Sequence, residues 1–365
     1  MEPADRIQIE QLAERFRHFA GETAARAPLY ARLSASIAED PDIVALLTSA
    51  PTEQQLPVLL FAAVHDLLLG GVGAALAEHY PNLTEAPRSD DPFPAFRRVA
   101  LDHADDIRDL VATRSTQTNE VGRCALFLLG LEVLQDEGLG PFSLVDVGTS
   151  AGLTLLMDRF RYRFEPDEGE THELGNPSTV ELVCGTRGPA PRPTAIPSIA
   201  RRVGLDASPI DVADDDAVRW LEACVWPDQQ DRFDRLRAAI ALARSEPPDI
   251  RPQIRRGDAV DDVGSIVREV ATAGHPVVLN SWVLNYLPEE RRRRYVDVLD
   301  DLGGEQDLSW VLAESPLQTV GLPIPTTDPP EVLTVLSVVT WRDGRRSVRR
   351  LGTAHPHGFW VHAEG

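Results

Sequence analysis

A glycine-rich turn in the middle of the chain holds the residues whose types and spacing are best suited to binding chemistry. It follows an apolar run at residues 142–147, which predicts a buried strand, and it reads Gly148-Thr-Ser-Ala-Gly152. Apolar residues at helical spacing follow at 153–160. A strand, a tight glycine turn and a helix N-terminus together present backbone N–H groups and the positive end of a helix dipole. We therefore expect a cofactor to bind at this turn.

Two interpretations of the turn match its sequence in part. A dinucleotide site uses Gly-x-Gly-x-x-Gly, whereas this chain has Ser150 at the middle position, so the usual close approach of backbone to pyrophosphate is missing. The turn also matches Gly-x-Ser-x-Gly, the nucleophile elbow of serine hydrolases, with Ser150 as nucleophile and His355 or His357 as a later partner. Asp146 stands near the strand end, where an elbow would have an apolar residue. A serine hydrolase therefore stays an alternative.

A third interpretation starts from Asp146, the acid that precedes the turn. With the Gly-x-x-x-Gly that follows, it resembles the first motif of the class I S-adenosylmethionine-dependent methyltransferase superfamily. Val203-Gly-Leu-Asp206 resembles the end of the second strand, where an acid accepts hydrogen bonds from both ribose hydroxyls. Arg256-Gly-Asp258-Ala259 resembles the segment after the third strand, whose acid faces the adenine amine. Residues 277–287 resemble the fourth strand and the stretch along the methionine and the substrate.

This resemblance covers residues 119–365 and implies that S-adenosylmethionine is the cofactor and a small molecule the substrate. It assigns to the cofactor residues Asp146, Gly148, Thr149, Ser150, Ala151, Gly152, Asp206, Ala207, Gly257, Asp258, Ala259, Asn280, Ser281 and Trp282. The chain departs from the superfamily in a long segment at about 165–200, which reads as an insertion, since the second acid normally lies about 20 residues beyond the glycines.

Further polar residues flank the expected site. Asn119 is predicted to cap a helix at 121–135, and Glu120 and Arg123 lie in its first turns, where they could contact the methionine end or the substrate. Tyr286 is a further possible contact after the fourth strand. The sequence identifies no general base, so the catalytic residues stay unknown. It also shows no set of ligands with the spacing of a metal site.

Apolar periodicity divides the chain into two predicted domains. Residues 1–113 form an all-helical N-terminal domain, and residues 114–365 form an α/β domain in which strands and helices alternate. We expect a doubly wound, mostly parallel, seven-stranded sheet with a C-terminal antiparallel hairpin. That hairpin consists of residues 332–341 and 347–351 on either side of Asp343-Gly344. In the first domain the helices are predicted at 7–19, 29–37, 56–69 and 96–111.

Composition excludes several functions. The formal net charge is −21, which argues against a nucleic-acid partner because such binding needs clustered positive charge. Every basic residue other than histidine is arginine. The chain therefore has no lysine for a Schiff base or a phosphate-binding P-loop.

The remaining composition points to a soluble cytoplasmic protein. The three cysteines are widely separated and follow no pairing or metal spacing, which favours reduced thiols in a cytoplasm. The polar, acidic start predicts no signal peptide, and no apolar run is long enough for a membrane span. The sequence leaves the oligomeric state open.

The chain as a whole resembles an uncharacterised bacterial family, frequent in actinobacteria, that is known as a domain of unknown function. Residues 116–123, Val225-Trp-Pro-Asp-Gln229 and His355-Pro-His-Gly358 carry this resemblance. We expect an S-adenosylmethionine-dependent methyltransferase that acts on a small molecule. The alternative is a methyltransferase-like binding or interaction protein without transfer, and a serine hydrolase using Ser150 comes third.

Overall fold

The computed structural model describes residues 3–189, 192–319, 322 and 334–364. The chain forms two compact units, Met1–Thr118 with Asp211–Arg237, and Asn119–Ile210 with Ala238–Gly365. All described strands belong to the second unit. None of the described helices combines the length and apolar character needed to cross a membrane.

The described α-helices are α1 (Pro3–Thr23), α2 (Pro28–Ile37), α3 (Pro41–Val44), α4 (Pro57–Leu69), α5 (Ala74–Ala77), α6 (Phe93–Asp102), α7 (Ala104–Thr113), α8 (Cys124–Asp136), α9 (Asp215–Ala223), α10 (Gln230–Ser245), α11 (Val263–Val270) and α12 (Glu289–Glu305). The four predicted N-terminal helices are confirmed. The fourth is two helices, because His103 between them has the non-helical angles φ −117° and ψ 31°.

Apolar burial organises the first unit around α4. This helix has buried side chains on all sides, among them Leu59, Phe61 and Val64, as expected for a helix that is apolar all round. Phe61 stacks on Tyr30 of α2, with ring centroids 4.1 Å apart, and packs edge-on against Phe16 of α1. The surrounding helices therefore share one core with α4 at its centre.

The described strands are β1 (Phe142–Val147), β2 (Arg161–Pro166), β3 (His172–Leu174), β4 (Glu181–Arg187), β5 (Ile199–Asp206), β6 (Gln253–Arg256), β7 (His275–Ser281), β8 (Leu308–Glu314), β9 (Thr334–Arg342), β10 (Arg345–Ala354) and β11 (Trp360–Ala363). They form one sheet in the order β3-β2-β4-β11-β10-β9-β8-β7-β1-β5-β6. The α/β class and the β9–β10 hairpin are confirmed, although residues 332–333 of the predicted hairpin lie outside the described residues.

The predicted count of seven strands is wrong, since the sheet has eleven. The additional strands come from the segment after the glycine turn and from the C-terminus. Parts of the segment at about 165–200, whose residues 190–191 lie outside the described part, form strands of the same sheet. β4 pairs in parallel with β2 on one side and with β11 on the other. This pairing joins segments far apart in the chain, so no local pattern predicts it.

The prediction of a helix at 153–160 is also wrong. Leu153–Arg159 is a 3-10 helix that is interrupted at Leu156, where φ is −97° and ψ is 19°. The chain then enters β2 at Arg161. The side chains from Leu153 to Met157 are all buried, so this apolar run serves a fully enclosed segment and not one face of an amphipathic helix. The helix dipole expected at the turn is therefore absent from this segment.

Candidate functional site

The glycine turn lies where the strand order of the sheet reverses. β1 pairs in parallel with β5 on one side and with β7 on the other. The carboxyl ends of these three strands therefore meet at one edge of the sheet. In open α/β sheets, ligands bind in the crevice outside the carboxyl ends at such a switch point. The structure thus brings together the predicted residues that follow β1, β5 and β7.

The turn itself requires its glycines. Gly148 and Gly152 have φ of +76° and +72°. Residues that have a Cβ rarely adopt this left-handed backbone conformation. A Cβ on Gly148 would lie 2.3 Å from Val283 Cγ2, and one on Gly152 would lie 2.4 Å from Ile254 Cδ1. Close packing by neighbouring side chains therefore accounts for both glycines. Gly148 is exposed, whereas Thr149, Ser150 and Ala151 are buried.

The buried carboxylate of Asp146 stabilises the glycine turn through hydrogen bonds. Its carboxylate accepts hydrogen bonds from the hydroxyls of Thr149, at 2.9 Å, and of Thr154. Burial raises the pKa of Asp146 to about 6, although both hydroxyls stabilise the ionised form. Asn119 donates from Nδ2 to the Thr149 carbonyl at 2.6 Å. The carboxylate and Asn119 thus fix the same turn from two directions.

The helix cap predicted for Asn119 is formed by the next residue. The Glu120 side chain accepts from the Gly122 backbone N–H at 2.9 Å. Arg123 donates from Nη1 to the Ser281 carbonyl at 3.0 Å and from Nε to the Pro356 carbonyl at 2.8 Å. Arg123 therefore ties the start of this helical segment to the end of β7.

Asp206 at the end of β5 reaches the glycine turn directly. One carboxylate oxygen accepts from the Ser150 backbone N–H at 2.8 Å, and the other accepts from the Ser208 N–H at 2.7 Å. Asp206 is partly exposed and Ala207 is exposed. Since each carboxylate oxygen has two lone pairs, Asp206 retains capacity for further donors.

Asp258 follows β6 in a tight loop. Its Oδ1 accepts from the backbone N–H groups of Val260 and Asp261, at 2.8 and 3.0 Å, and pairs with Arg291. Partial burial raises the pKa of Asp258, but the two backbone N–H groups and Arg291 lower it by more, so its pKa lies below the usual value. Asp258 is therefore a fixed negative charge at this edge.

The two residues that flank Asp258 have different surroundings. Gly257 has no room for a side chain, because a Cβ there would lie 2.5 Å from Asp262 Oδ2. Asp262 Oδ2 in turn accepts the Asp258 N–H. Ala259 is partly buried. Close packing again explains the glycine of this motif.

Asn280 lies near the carboxyl end of β7 and is enclosed by neighbouring residues. It is fully buried, and its Oδ1 accepts from Tyr295 Oη at 2.8 Å and from Trp310 Nε1 at 2.7 Å. Its Nδ2 donates to the Val147 carbonyl at 3.4 Å. All its polar atoms are thus bonded within the protein.

The residues after Asn280 turn away from the sheet. Trp282 has φ +56°, and its indole N–H donates to Thr334 Oγ1 at 2.8 Å. Ser281 and Trp282 are partly exposed, and Tyr286 is 75% exposed. This segment therefore presents side chains to solvent beside Gly148.

Glu314 at the end of β8 is a further candidate that the sequence analysis missed. It is fully buried, and Oε1 accepts from the N–H groups of Val283 and Leu284 at 2.8 and 3.3 Å. Oε2 has no hydrogen-bond partner among the described residues. Burial raises the pKa of Glu314 to about 7. An acid at the end of a mostly apolar strand is the sequence signal for it.

The C-terminal His355-Pro-His-Gly358 segment lies against the start of the helical segment at Val121–Arg123. A Cβ on Gly358 would lie 2.2 Å from the Gly122 carbonyl oxygen. His357 Nδ1 is 4.0 Å from Glu120 Oε2. Two of the three segments that carry the whole-chain resemblance are therefore in contact. Within the described ranges, no group of three His, Cys, Asp or Glu side chains is arranged to hold a metal ion.

Comparison with known proteins identifies a family but no activity. The sequence profile of a bacterial family, described as "Uncharacterized protein conserved in bacteria (DUF2332)", matches residues 13–362. No curated protein and no solved structure matches the chain. The match extends over both units, and the chain belongs to this family of uncharacterised bacterial proteins.

Proposed function

We propose that this protein binds S-adenosylmethionine at the carboxyl edge of β1, β5, β6 and β7 and transfers its methyl group to a small molecule. One observation carries the proposal. The Asp206 carboxylate at the end of β5 lies 2.8 Å from the backbone N–H of Ser150, in the glycine turn after β1. The acid that we propose for the ribose is therefore adjacent to the glycine turn at the topological switch point, where this fold class binds nucleotide ligands.

The residues at this edge fit such a ligand. Asp206 is bonded through one lone pair on each oxygen, which leaves a free lone pair on each for two ribose hydroxyls. The carboxyl ends of four strands also carry an acid, at Asp146, Asp206, Asp258 and Glu314. Negative charge suits a ligand with a sulfonium and an ammonium group, since opposite charges attract most strongly where water is excluded.

Two of these acids have distinct tasks in the proposed complex. Asp206 binds the ribose, and Asp258 lies on the strand side that would face the adenine. The bound cofactor supplies an electrophilic methyl group on sulfur, so the protein needs mainly to align a nucleophile.

Thermal-shift titration of the full chain with S-adenosylmethionine and S-adenosylhomocysteine tests binding. A ligand at about 100 times its dissociation constant stabilises the folded state by about 2.7 kcal/mol. The absence of a shift with both ligands would contradict the proposal.

Transfer is tested separately with radiolabelled methyl groups and a mixture of bacterial small molecules. We expect labelled product with the wild type. Binding without any labelled product would favour the alternative, a methyltransferase-like binding protein.

A serine hydrolase is a second candidate because of the backbone at Ser150. This residue has φ +53° within Gly-x-Ser-x-Gly, and a nucleophile elbow places its serine on such a strained turn. Ser150 is only 2% exposed, which opposes access by a substrate. Labelling by a fluorophosphonate probe that disappears in Ser150→Ala would favour the hydrolase.

A further inference from the structure

The first, helical unit contains six buried side-chain polar atoms that have no hydrogen-bond partner in the described part of the chain. Two of them are Ser34 Oγ and His79 Nδ1. The other four are Tyr30 Oη, Tyr80 Oη, Asn82 Oδ1 and Asp228 Oδ2, and we call these four residues the buried polar cluster. Both tyrosines are at most 1% exposed. Native proteins pair nearly all such atoms, because a buried polar group without a partner costs free energy. A group that is not part of this chain would satisfy them.

The members of the cluster are neighbours. The rings of Tyr30 and Tyr80 are 6.3 Å apart and nearly perpendicular. The negative charge of Asp228 acts on both phenols and, after burial, contributes to raising the pKa of each. The His65 ring lies 5.2 Å from the Tyr80 ring and connects it to Asn82. One ligand group could therefore contact several of these atoms.

The orientation of the Asn82 amide follows from His65. His65 Nδ1 lies 3.1 Å from the Ala223 carbonyl and must carry the proton to donate there. His65 Nε2 is then an acceptor, and it lies 3.0 Å from Asn82 Nδ2. This arrangement leaves Asn82 Oδ1 as the atom without a partner. The cluster thus presents the Asn82 and Asp228 oxygens as hydrogen-bond acceptors. The two phenol O–H groups can rotate, so their oxygens can also accept hydrogen bonds.

Asp228 comes from the Val225-Trp-Pro-Asp-Gln229 segment, which the proposed methyltransferase site does not use. Its Oδ1 lies 3.5 Å from the Leu29 N–H at the start of α2, while Oδ2 belongs to the cluster. Trp226 of the same segment lies 6.2 Å from Tyr30, between ring centroids. The segment therefore supplies both a carboxylate and an aromatic wall.

We propose that the buried polar cluster binds the primary ammonium group of a small ligand, whose alkyl part lies against Tyr30 and Trp226. An ammonium group has three N–H donors and no acceptor, so it matches a carboxylate, an amide oxygen and phenol oxygens. Asp228 would repel an anion. The aromatic rings also favour a cation, and the Arg26 guanidinium already lies 4.9 Å from the Trp226 ring centre. This site is independent of the proposed methyltransferase site.

Isothermal titration of the full chain with n-butylammonium tests the site, with n-butanol and butyrate as neutral and anionic analogues. We expect saturable binding of n-butylammonium, and at least tenfold weaker binding of both analogues. Asp228→Asn should weaken n-butylammonium binding at least tenfold. Tyr80→Phe should weaken it severalfold while leaving the Asp228–Leu29 contact intact, so it tests the site even if Asp228→Asn unfolds the unit.

A matched variant serves as the control, Asp109→Asn, which changes an exposed residue and should keep wild-type affinity. Three results would overturn the proposal. The first is no binding of n-butylammonium, which means that water alone fills the cluster. The second is equal affinity for n-butanol. The third is wild-type affinity in folded Asp228→Asn.

Discussion

The Asp206 carboxylate accepts the Ser150 backbone N–H at 2.8 Å and so joins the end of β5 to the glycine turn after β1. These two residues are far apart in sequence, and parallel pairing of β1 with β5 brings them to the same edge. The bond is charge-assisted, a type that contributes about 1.5 to 3 kcal/mol. Asp206 therefore both stabilises the turn and remains able to bind a ligand there.

Replacing Asp206 should weaken binding of the proposed cofactor. For Asp206→Ala we expect about 10- to 100-fold lower affinity for S-adenosylhomocysteine, since about 1.4 kcal/mol corresponds to a factor of ten and charged hydrogen bonds are lost. Isothermal titration measures the change. Asp301→Asn, at an exposed position on α12, is the control and should bind like wild type. Unchanged affinity in Asp206→Ala would reject the ribose assignment.

Alanine at Gly148 should destabilise the fold more than alanine at Gly138. The two glycines have nearly the same φ, +76° and +77°, but a Cβ on Gly138 meets no atom within 4 Å. Gly138→Ala should therefore cost about 1 to 2 kcal/mol for backbone strain alone. Gly148→Ala should cost a further 1 to 3 kcal/mol or so because of its clash with Val283. Urea denaturation measures both.

A second substitution separates the clash at Gly148 from the strain. Val283→Ala removes the side chain that a Cβ at Gly148 would strike. The double variant Gly148→Ala with Val283→Ala should thus cost less than the sum of the two single changes. Simple additivity would show that Val283 is not the obstacle.

Adjacent glycines in α12 should respond oppositely to alanine. A Cβ on Gly303 would lie 2.0 Å from Trp341 Cδ1, whereas one on Gly304 meets nothing within 4 Å. Gly304→Ala should raise the free energy of unfolding by about 0.5 to 1 kcal/mol through helix propensity. Gly303→Ala should lower it by about 1 to 3 kcal/mol through overpacking. Similar effects of the two changes would contradict the packing of α12 against β9.

Glu314 should make the protein less stable as pH rises. Burial raises its pKa from 4.5 to about 7, so between these values the folded state keeps a proton that the unfolded state loses. The contribution of Glu314 to stability is fully present below pH 4.5 and falls by about 3 kcal/mol up to pH 7. The stability of wild type relative to Glu314→Gln should fall by this amount over that range.

Urea denaturation at several pH values measures the effect of Glu314. Glu53→Gln changes an exposed acid and should keep the wild-type pH dependence. Parallel curves for wild type and Glu314→Gln would show that Glu314 titrates alike in both states.

Local patterns predicted the strands that lie next to the helices, but not the full extent of the sheet. β1 and β7 are centred on short apolar runs with clear punctuation, and the Asp343-Gly344 turn identifies the hairpin. β4 does alternate buried and exposed residues, yet its partners are distant in sequence. β11 has four residues, too few for a periodic signal. Its place depends on pairing with β4 and β10, which no local pattern encodes.

The same distinction applies to the candidate site. The meeting of Asp206 with the glycine turn follows from parallel strands whose carboxyl ends share an edge. The enclosure of Asn280 does not, because it depends on Tyr295 and Trp310 reaching the same amide oxygen from α12 and β8. Glu314 was missed because its role depends on the turn at Val283, whose N–H it accepts. Such contacts between side chains from distant segments are not encoded in any local sequence pattern.

The position of β11 determines the order in which the sheet can be completed during synthesis. Among the described strands, β4 reaches the larger part of the sheet through β11 alone, with Trp360 beside Gly185 and His362 beside Arg187. At 5–20 residues per second, the ribosome would deliver β11 roughly 10 to 30 s after β4. During that interval the edge of β4 has unpaired backbone groups, which are a template for association between chains. The nascent protein therefore depends on β11, or on a chaperone, to protect that edge from aggregation.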